Sequence, residues 1–226
     1  MVEYNLGSVR ARIGVSFVVE AVLCGALAGR AEAHVVAVAV LAAVMLVVAQ
    51  VQLAGYAALG QRGGGELALG ALCRWRMAEE KPLRMLLGGM AASVLLALLA
   101  GGLVVLVGGG EPRLCLSVLL EAEIPELLTQ RSTPGVALGL AYLLRVSALW
   151  ALVNVLPLFP YDGGAALGRV MGGRRGVYVC GMLLAAGLAL GALALGWWLV
   201  AVYMLFIGLG NYVRAYIGAD ESIKRS

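Results

Sequence analysis

The sequence predicts an all-α integral membrane protein with about six transmembrane helices. Its 226 residues are 62% hydrophobic and only 13% charged, whereas soluble domains are about half apolar and a quarter charged. The apolar residues also come in long blocks, and about 20 such residues span the hydrocarbon core as a helix. Basic residues are distributed unequally between the two sides that these spans define. We therefore expect one multi-pass membrane domain over residues 1–226.

The apolar blocks predict six spans, and the first contains an acidic residue. Because Glu20 interrupts that block and no clear small-residue cleavage site follows it, we interpret it as a retained span and not as a signal peptide. The last two spans are separated by Gly196 and the Trp197–Trp198 pair, which suits a membrane interface. The predicted spans are residues 13–29, 35–60, 85–107, 136–159, 176–195 and 197–213.

The distribution of charge predicts the orientation. Thirteen of the 17 basic residues fall on the side that carries both termini and the loops after the second and fourth spans. Basic residues concentrate on the cytoplasmic side of membrane proteins, so we expect both termini to be cytoplasmic, in the inner membrane of a bacterium. The net charge of +4 is explained in the same way. We expect the lipid bilayer as its surroundings and no nucleic-acid partner.

Two segments between the predicted spans are too short or too polar to cross the membrane. Residues 63–75 begin with three glycines and predict a hairpin or a re-entrant piece. Residues 108–135 form the longest loop, and the apolar spacing of residues 114–128 predicts a short amphipathic helix lying on the outer face.

The end of the fourth span carries the most informative motif, Asn-Val-Leu-Pro-Leu-Phe-Pro-Tyr-Asp-Gly-Gly at residues 154–164. Its prolines end a helix and its glycines permit turns. The spacing of Asn154, Pro157, Asp162 and Gly163 resembles the N-x-x-P-x-x-x-x-D-G signature of the site-2 protease family, which are intramembrane zinc metalloproteases. The resemblance implies that Asp162 takes the position of a zinc ligand. It also implies that these four residues border a groove for a substrate or client.

The likeness to this family extends over about residues 35–212 and includes Asn211 near the end of the last span. The same resemblance places an H-E-x-x-H motif at the end of the second span, with two histidine ligands and a glutamate as general base. Gln52, Leu53 and Tyr56 stand at those positions. The chain has one histidine, His34, and about 27 Å of helix separates it from Gln52. We therefore expect no zinc, no other cofactor and no catalytic residues.

Two charged residues lie within predicted spans, Glu20 in the first and Arg145 in the fourth. Charges are costly in lipid, so both are expected to face the protein interior. They either pair as a structural lock or form part of a polar pathway.

Three functions are compatible with this sequence. The first is a catalytically silent site-2-protease-like protein that binds or regulates a membrane client, such as a transmembrane segment of another protein. The second is an active metalloprotease whose zinc ligands come from elsewhere, for example from a partner chain. The third is a small transporter or channel component that uses Glu20 and Arg145.

Overall fold

The structure is a computed structural model, which describes residues 2–6, 9–13, 34–59, 65–69, 83–120, 124–158, 161–171, 174–194 and 198–216. The chain divides into two compact units, Met1–Ala151 and Leu152–Ser226.

The first unit contains a small sheet beside its helices. Strands β1 (Val2–Leu6) and β2 (Val9–Ile13) pair antiparallel, and β3 (Gly65–Leu69) pairs parallel with β2. Most of the described residues are helical, as predicted, and the three-stranded sheet was not predicted. Strand β3 lies in the glycine-rich segment 63–75, and its partner is the N-terminal strand β2. Ile13 ends β2, and the remainder of the predicted first span, with Glu20, lies outside the described residues.

Two long helices of the first unit pack closely together, α1 (His34–Leu59) and α2 (Leu83–Val107). A Cβ atom on Gly55 of α1 would overlap the carbonyl oxygen of Gly88 in α2. Small residues let helix backbones approach in this way, which increases their van der Waals contact.

The loop between α2 and the next long helix folds as two short helices, α3 (Arg113–Leu120) and α4 (Glu126–Arg131). The prediction of one amphipathic helix over residues 114–128 is therefore wrong. Pro125 precedes α4 with an extended ψ of 134°, and proline supplies no backbone donor to continue a helix.

These short helices pack against α2 and α5 (Pro134–Val155) in a buried apolar cluster. The cluster draws residues from all four helices: Ala100, Val104, Leu114, Val118, Leu128, Ala137, Ala141 and Leu144.

Helix α5 continues into the second unit and ends at Val155, before the predicted limit of residue 159. Pro157 explains the difference, because proline lacks an N–H group and disfavours helical geometry at the preceding residue. Three helices follow: α6 (Asp162–Val170), α7 (Arg174–Ala194) and α8 (Trp198–Tyr216). The core of this unit is formed by Val153, Leu158, Tyr161, Ala185, Ala189, Ala192, Ala201 and Met204.

The chain is a multi-pass membrane protein. Within the described residues, four helical segments are long and apolar enough to cross a membrane: Ala39–Leu59, Leu83–Val107, Pro134–Val155 and Arg175–Ala194. Ala201–Val213 is a shorter apolar helix. The total of six spans stays a prediction, since the first falls outside the described residues.

Candidate functional site

The residues that the resemblance assigns to the H-E-x-x-H positions are fully buried on α1. Gln52, Leu53 and Tyr56 each have 0% of their surface exposed. Residues four apart share one face of a helix, so the Gln52 and Tyr56 side chains meet. The Gln52 Nε2 atom donates a hydrogen bond of 2.7 Å to the Tyr56 hydroxyl.

A tryptophan from α5 completes this arrangement. The Trp150 Nε1 atom donates to Gln52 Oε1 at 2.6 Å. The Gln52 amide is therefore hydrogen-bonded through both its nitrogen and its oxygen. We call Gln52, Tyr56 and Trp150 the Gln52 network. It joins α1 to α5 through uncharged groups.

Helix α2 shapes the space around Tyr56. A Cβ atom on Gly89 would overlap the Tyr56 ring and lie 2.8 Å from its Cζ atom. Ser93, one turn further along α2, donates to the Gly89 carbonyl at 3.0 Å. The Tyr56 ring thus occupies the space that any side chain larger than glycine at position 89 would need.

This donor set does not fit a zinc ion. Zinc in proteins is held by imidazole, thiolate and carboxylate groups, whereas Gln52 and Tyr56 are neutral oxygen and nitrogen groups that already hydrogen-bond to each other. Leu53 cannot accept a proton, so it supplies no general base. No three His, Cys, Asp or Glu side chains within the described ranges are grouped so that they could hold a metal ion.

The motif with Asn154 and Asp162 lies in the second unit, at the break between α5 and α6. Both side chains are buried, with 2% and 3% exposed respectively. The Asn154 Nδ2 atom has no hydrogen-bond partner among the described residues. A buried donor without a partner costs about 1–3 kcal/mol, so this amide is a group that a further ligand would satisfy.

Gly163 lets the start of α6 lie directly against the end of α5. A Cβ atom at this position would overlap the Leu156 carbonyl oxygen and lie 2.7 Å from the Val155 carbonyl carbon. Asp162 is the first residue of α6, where the positive end of the helix dipole favours a carboxylate. The break therefore requires glycine at position 163, and the start of α6 favours the carboxylate of Asp162.

Helices α7 and α8 support this break from within the same unit. A Cβ atom on Gly181 would lie 2.7 Å from Asn211 Oδ1 and 3.2 Å from the Pro157 carbonyl oxygen. The Asn211 Nδ2 atom donates to the Ile207 carbonyl at 2.8 Å. The hydroxyl groups of Tyr161 and Tyr203 are hydrogen-bonded to each other.

Sequence reasoning missed three residues of these two regions, Trp150, Gly181 and Tyr203. Trp150 lies 98 positions from Gln52, and no short-range pattern connects them. Gly181 and Tyr203 sit in apolar spans whose composition gives no sign of a contact with the break.

Arg145 makes a hydrogen bond to a backbone carbonyl within the first unit. Its Nε atom donates a hydrogen bond of 2.6 Å to the Val118 carbonyl oxygen of α3. Because Glu20 lies outside the described residues, the pairing of these two charges stays a prediction.

The predicted site is thus divided between the two units. Gln52, Leu53 and Tyr56 belong to the first unit, and Asn154, Pro157, Asp162 and Gly163 to the second.

Comparison with known proteins gives one structural likeness. The chain is similar to the solved structure of a site-2 protease from Methanocaldococcus jannaschii, with a TM-score of 0.50 and 16% sequence identity over 95% of this chain and 94% of that chain. At this level of identity, the likeness shows a shared fold. No family model matches the chain, and no curated protein matches it significantly.

Proposed function

We propose that this site-2-protease-like membrane protein is catalytically silent and binds or regulates a membrane client through a groove between its helices. The observation that carries the proposal is the Gln52 network. Where the resemblance places two histidines and a glutamate, Gln52 and Tyr56 bond to each other and Leu53 offers no base. Such a centre cannot activate a water molecule in the way that a zinc-bound site does.

The client-binding part of the proposal rests on Asn154. Its buried Nδ2 donor has no partner among the described residues, beside a helix break formed by Pro157 and Gly163. A transmembrane client with an unwound stretch presents backbone carbonyl groups that need donors within the membrane. Asn154 is a donor of the required kind.

Cleavage and metal content test the silent centre. We expect purified protein, reconstituted with zinc and a transmembrane model substrate, to produce no cleavage and to carry much less than one zinc per chain. Robust cleavage that Asp162→Ala abolishes would defeat the proposal. Stoichiometric zinc in the native protein would instead favour an active metalloprotease with ligands from elsewhere.

A restored motif provides the matched positive control. The triple variant Gln52→His, Leu53→Glu and Tyr56→His reinstates two imidazoles and an acid. We expect this variant to bind zinc, which metal analysis of the purified protein measures against the native chain.

Site-specific photo-crosslinking tests the client. A photoreactive residue at Asn154 is expected to capture a membrane protein in cells, whereas the same residue at Leu152 or Val155 provides the control. Both control side chains are exposed on the same helix and would contact lipid. Equal capture at all three positions would contradict a specific groove.

The orientation forms part of the same proposal, with both termini in the cytoplasm and the chain in a bacterial inner membrane. The charge bias supports it. Fusion of a cytoplasmic reporter to either terminus is expected to give active reporter, and a reporter that requires export is expected to stay inactive.

A further inference from the structure

The end of the second unit at which α7 begins and α8 finishes carries arginine, tyrosine and apolar side chains close together. We infer that this region binds the phosphate group of an anionic phospholipid and that Arg175 makes the main contact. Its defining residues are Arg169, Arg175, Tyr212 and Tyr216, and we call it the arginine–tyrosine corner. The inference depends neither on client binding nor on catalysis.

The packing of α7 against α8 places this corner at the edge of the hydrocarbon core. Arg175 is the first residue of the apolar segment Arg175–Ala194, which is long enough to cross a membrane. A Cβ atom on Gly208 of α8 would lie 3.4 Å from the Cβ of Ala185, near the middle of that segment. Arg175 precedes Ala185 by ten positions, or about 15 Å of helix, which is about half the thickness of the hydrocarbon core. The Arg175 guanidinium group is therefore at the level of the lipid headgroups.

The Arg175 side chain lies over a tyrosine ring at this level. Its Cζ atom is 5.6 Å from the centroid of the Tyr216 ring, and the centroids of the Tyr212 and Tyr216 rings are 5.0 Å apart. A ring face attracts a guanidinium group without using its N–H donors. Among the residues that the structure describes, no hydrogen bond or ion pair engages those donors. Arg175 is thus oriented at an exposed position and keeps its donors for an anion.

The charge of this part of the chain is strongly positive. Residues 169–226 contain six basic and two acidic residues, and the third acid of the second unit, Asp162, is buried. Arg169 is exposed at the end of α6, where a Cβ on the adjacent Gly168 would contact Val177 of α7 at 3.9 Å. Arginine forms paired hydrogen bonds with phosphate oxygens, and basic groups between transmembrane helices bind anionic headgroups. Charge complementarity therefore favours an anionic ligand.

An apolar stripe leads from the corner along α8. Leu205, Leu209, Tyr212 and Tyr216 follow one another at spacings of four, three and four, so they share one face of the helix, and all four are exposed. Aliphatic side chains thus continue into two phenol rings beside a cation. A phospholipid presents its acyl chains and its phosphate in the same order, whereas an acidic soluble protein would meet only the arginines. This order assigns the corner to a lipid.

Native mass spectrometry of delipidated full-length protein in micelles tests the site. The protein is titrated with phosphatidylglycerol or with phosphatidylcholine of the same acyl chains, two lipids that share the phosphate and differ in net charge. We expect phosphatidylglycerol to bind more tightly and Arg175→Gln to weaken its binding about tenfold, because a charged hydrogen-bonded contact is lost. Arg84→Gln, at the exposed start of α2, is the matched control without effect. Equal affinity for the two lipids, or an equal loss in both variants, would overturn the inference.

Substitutions of Tyr216 test how the guanidinium group is held. Tyr216→Phe keeps the ring face and should retain the affinity for phosphatidylglycerol, whereas Tyr216→Leu removes the face and should weaken binding about threefold. Arg175→Lys keeps the charge without the paired donors, and its affinity should lie between those of the native protein and Arg175→Gln. Equal affinities of the two Tyr216 variants would contradict the cation–ring contact on which the inference rests.

The C-terminal tail supplies the competing anions, Asp220 and Glu221, which lie outside the described residues. The double variant Asp220→Asn with Glu221→Gln is expected to preserve or increase the preference for phosphatidylglycerol. A preference that appears only in this double variant would assign Arg175 to the tail and contradict a lipid site. Displacement of phosphatidylglycerol by millimolar inorganic phosphate would likewise contradict it, since that result would indicate a site for free anions.

Discussion

The Gln52 network and the break between α5 and α6 are both buried polar regions, but their hydrogen bonding differs. In the network, the Gln52 amide bonds through both its nitrogen and its oxygen. In the break, the Asn154 Nδ2 donor has no partner among the described residues. One region is internally satisfied, and the other retains a group that a ligand would complete.

This difference predicts which of the two amides contributes to stability and which is available to a ligand. Removing one partner of a buried hydrogen bond leaves the other partner desolvated, whereas replacing an already unpaired polar group with an apolar one costs little. Replacing the Gln52 amide with an apolar side chain should therefore destabilise the protein, whereas the same replacement at Asn154 should cost little. The free energy of unfolding, measured by denaturation in mixed detergent micelles, makes this comparison quantitative.

The largest expected effect is that of Gly163→Ala in the break. Its new Cβ atom would overlap backbone atoms of Val155 and Leu156, and overpacking against rigid atoms costs about 3 kcal/mol at the upper end. Gly168→Ala is the matched control on the same helix, because its Cβ would lie 3.9 Å from Val177 Cγ2, an ordinary contact. Equal stability of the two variants would show that the start of α6 does not press against the end of α5.

Gln52→Leu should have the next largest effect. It should lower the free energy of unfolding by about 2 kcal/mol, because Tyr56 and Trp150 each lose a buried hydrogen bond. Tyr56→Phe should cost less, and the double variant should show a coupling of about 1 kcal/mol. Additive effects would mean that the two side chains do not interact in the folded protein.

Tyr203→Phe tests a satisfied bond within the second unit. Loss of its hydrogen bond to Tyr161 should lower the free energy of unfolding by about 1 kcal/mol. Tyr212→Phe, on an exposed side chain of the same helix, is the control that should leave it unchanged. A larger loss at Tyr212 would refute this ranking.

The smallest effect on stability should come from Asn154→Leu, within about 0.5 kcal/mol of the native protein. The same substitution should abolish client binding if Asn154 donates to a client. A loss comparable with that of Gln52→Leu would remove the contrast between the two regions.

The long helices could be predicted from sequence because each is a single apolar block whose length matches the bilayer, as in residues 85–107. The N-terminal strands were missed, although Gly7-Ser8 between two five-residue segments is a hairpin signal. Their short, polar pattern is weak beside the apolar blocks that dominate the chain.

The candidate site could be predicted only in its local parts. Proline ends a helix and glycine permits a tight turn wherever they occur, so Pro157 and Gly163 predicted the helix break from the sequence alone. Trp150 bonding to Gln52 and Arg145 bonding to Val118 depend on how separate helices pack, and neither has a signature in neighbouring residues.

The parallel pairing of β2 with β3 has a topological consequence. Both strands belong to one sheet, so Ile13 and Gly65 lie on the same face of the bilayer. Gly65 follows the last residue of α1 by six positions, at most about 20 Å of chain, which puts the sheet on the face where α1 ends. His34, at the other end of α1, then lies on the opposite face. Strand pairing and one helix thus place Ile13 and His34 near opposite ends of α1, without reference to hydropathy.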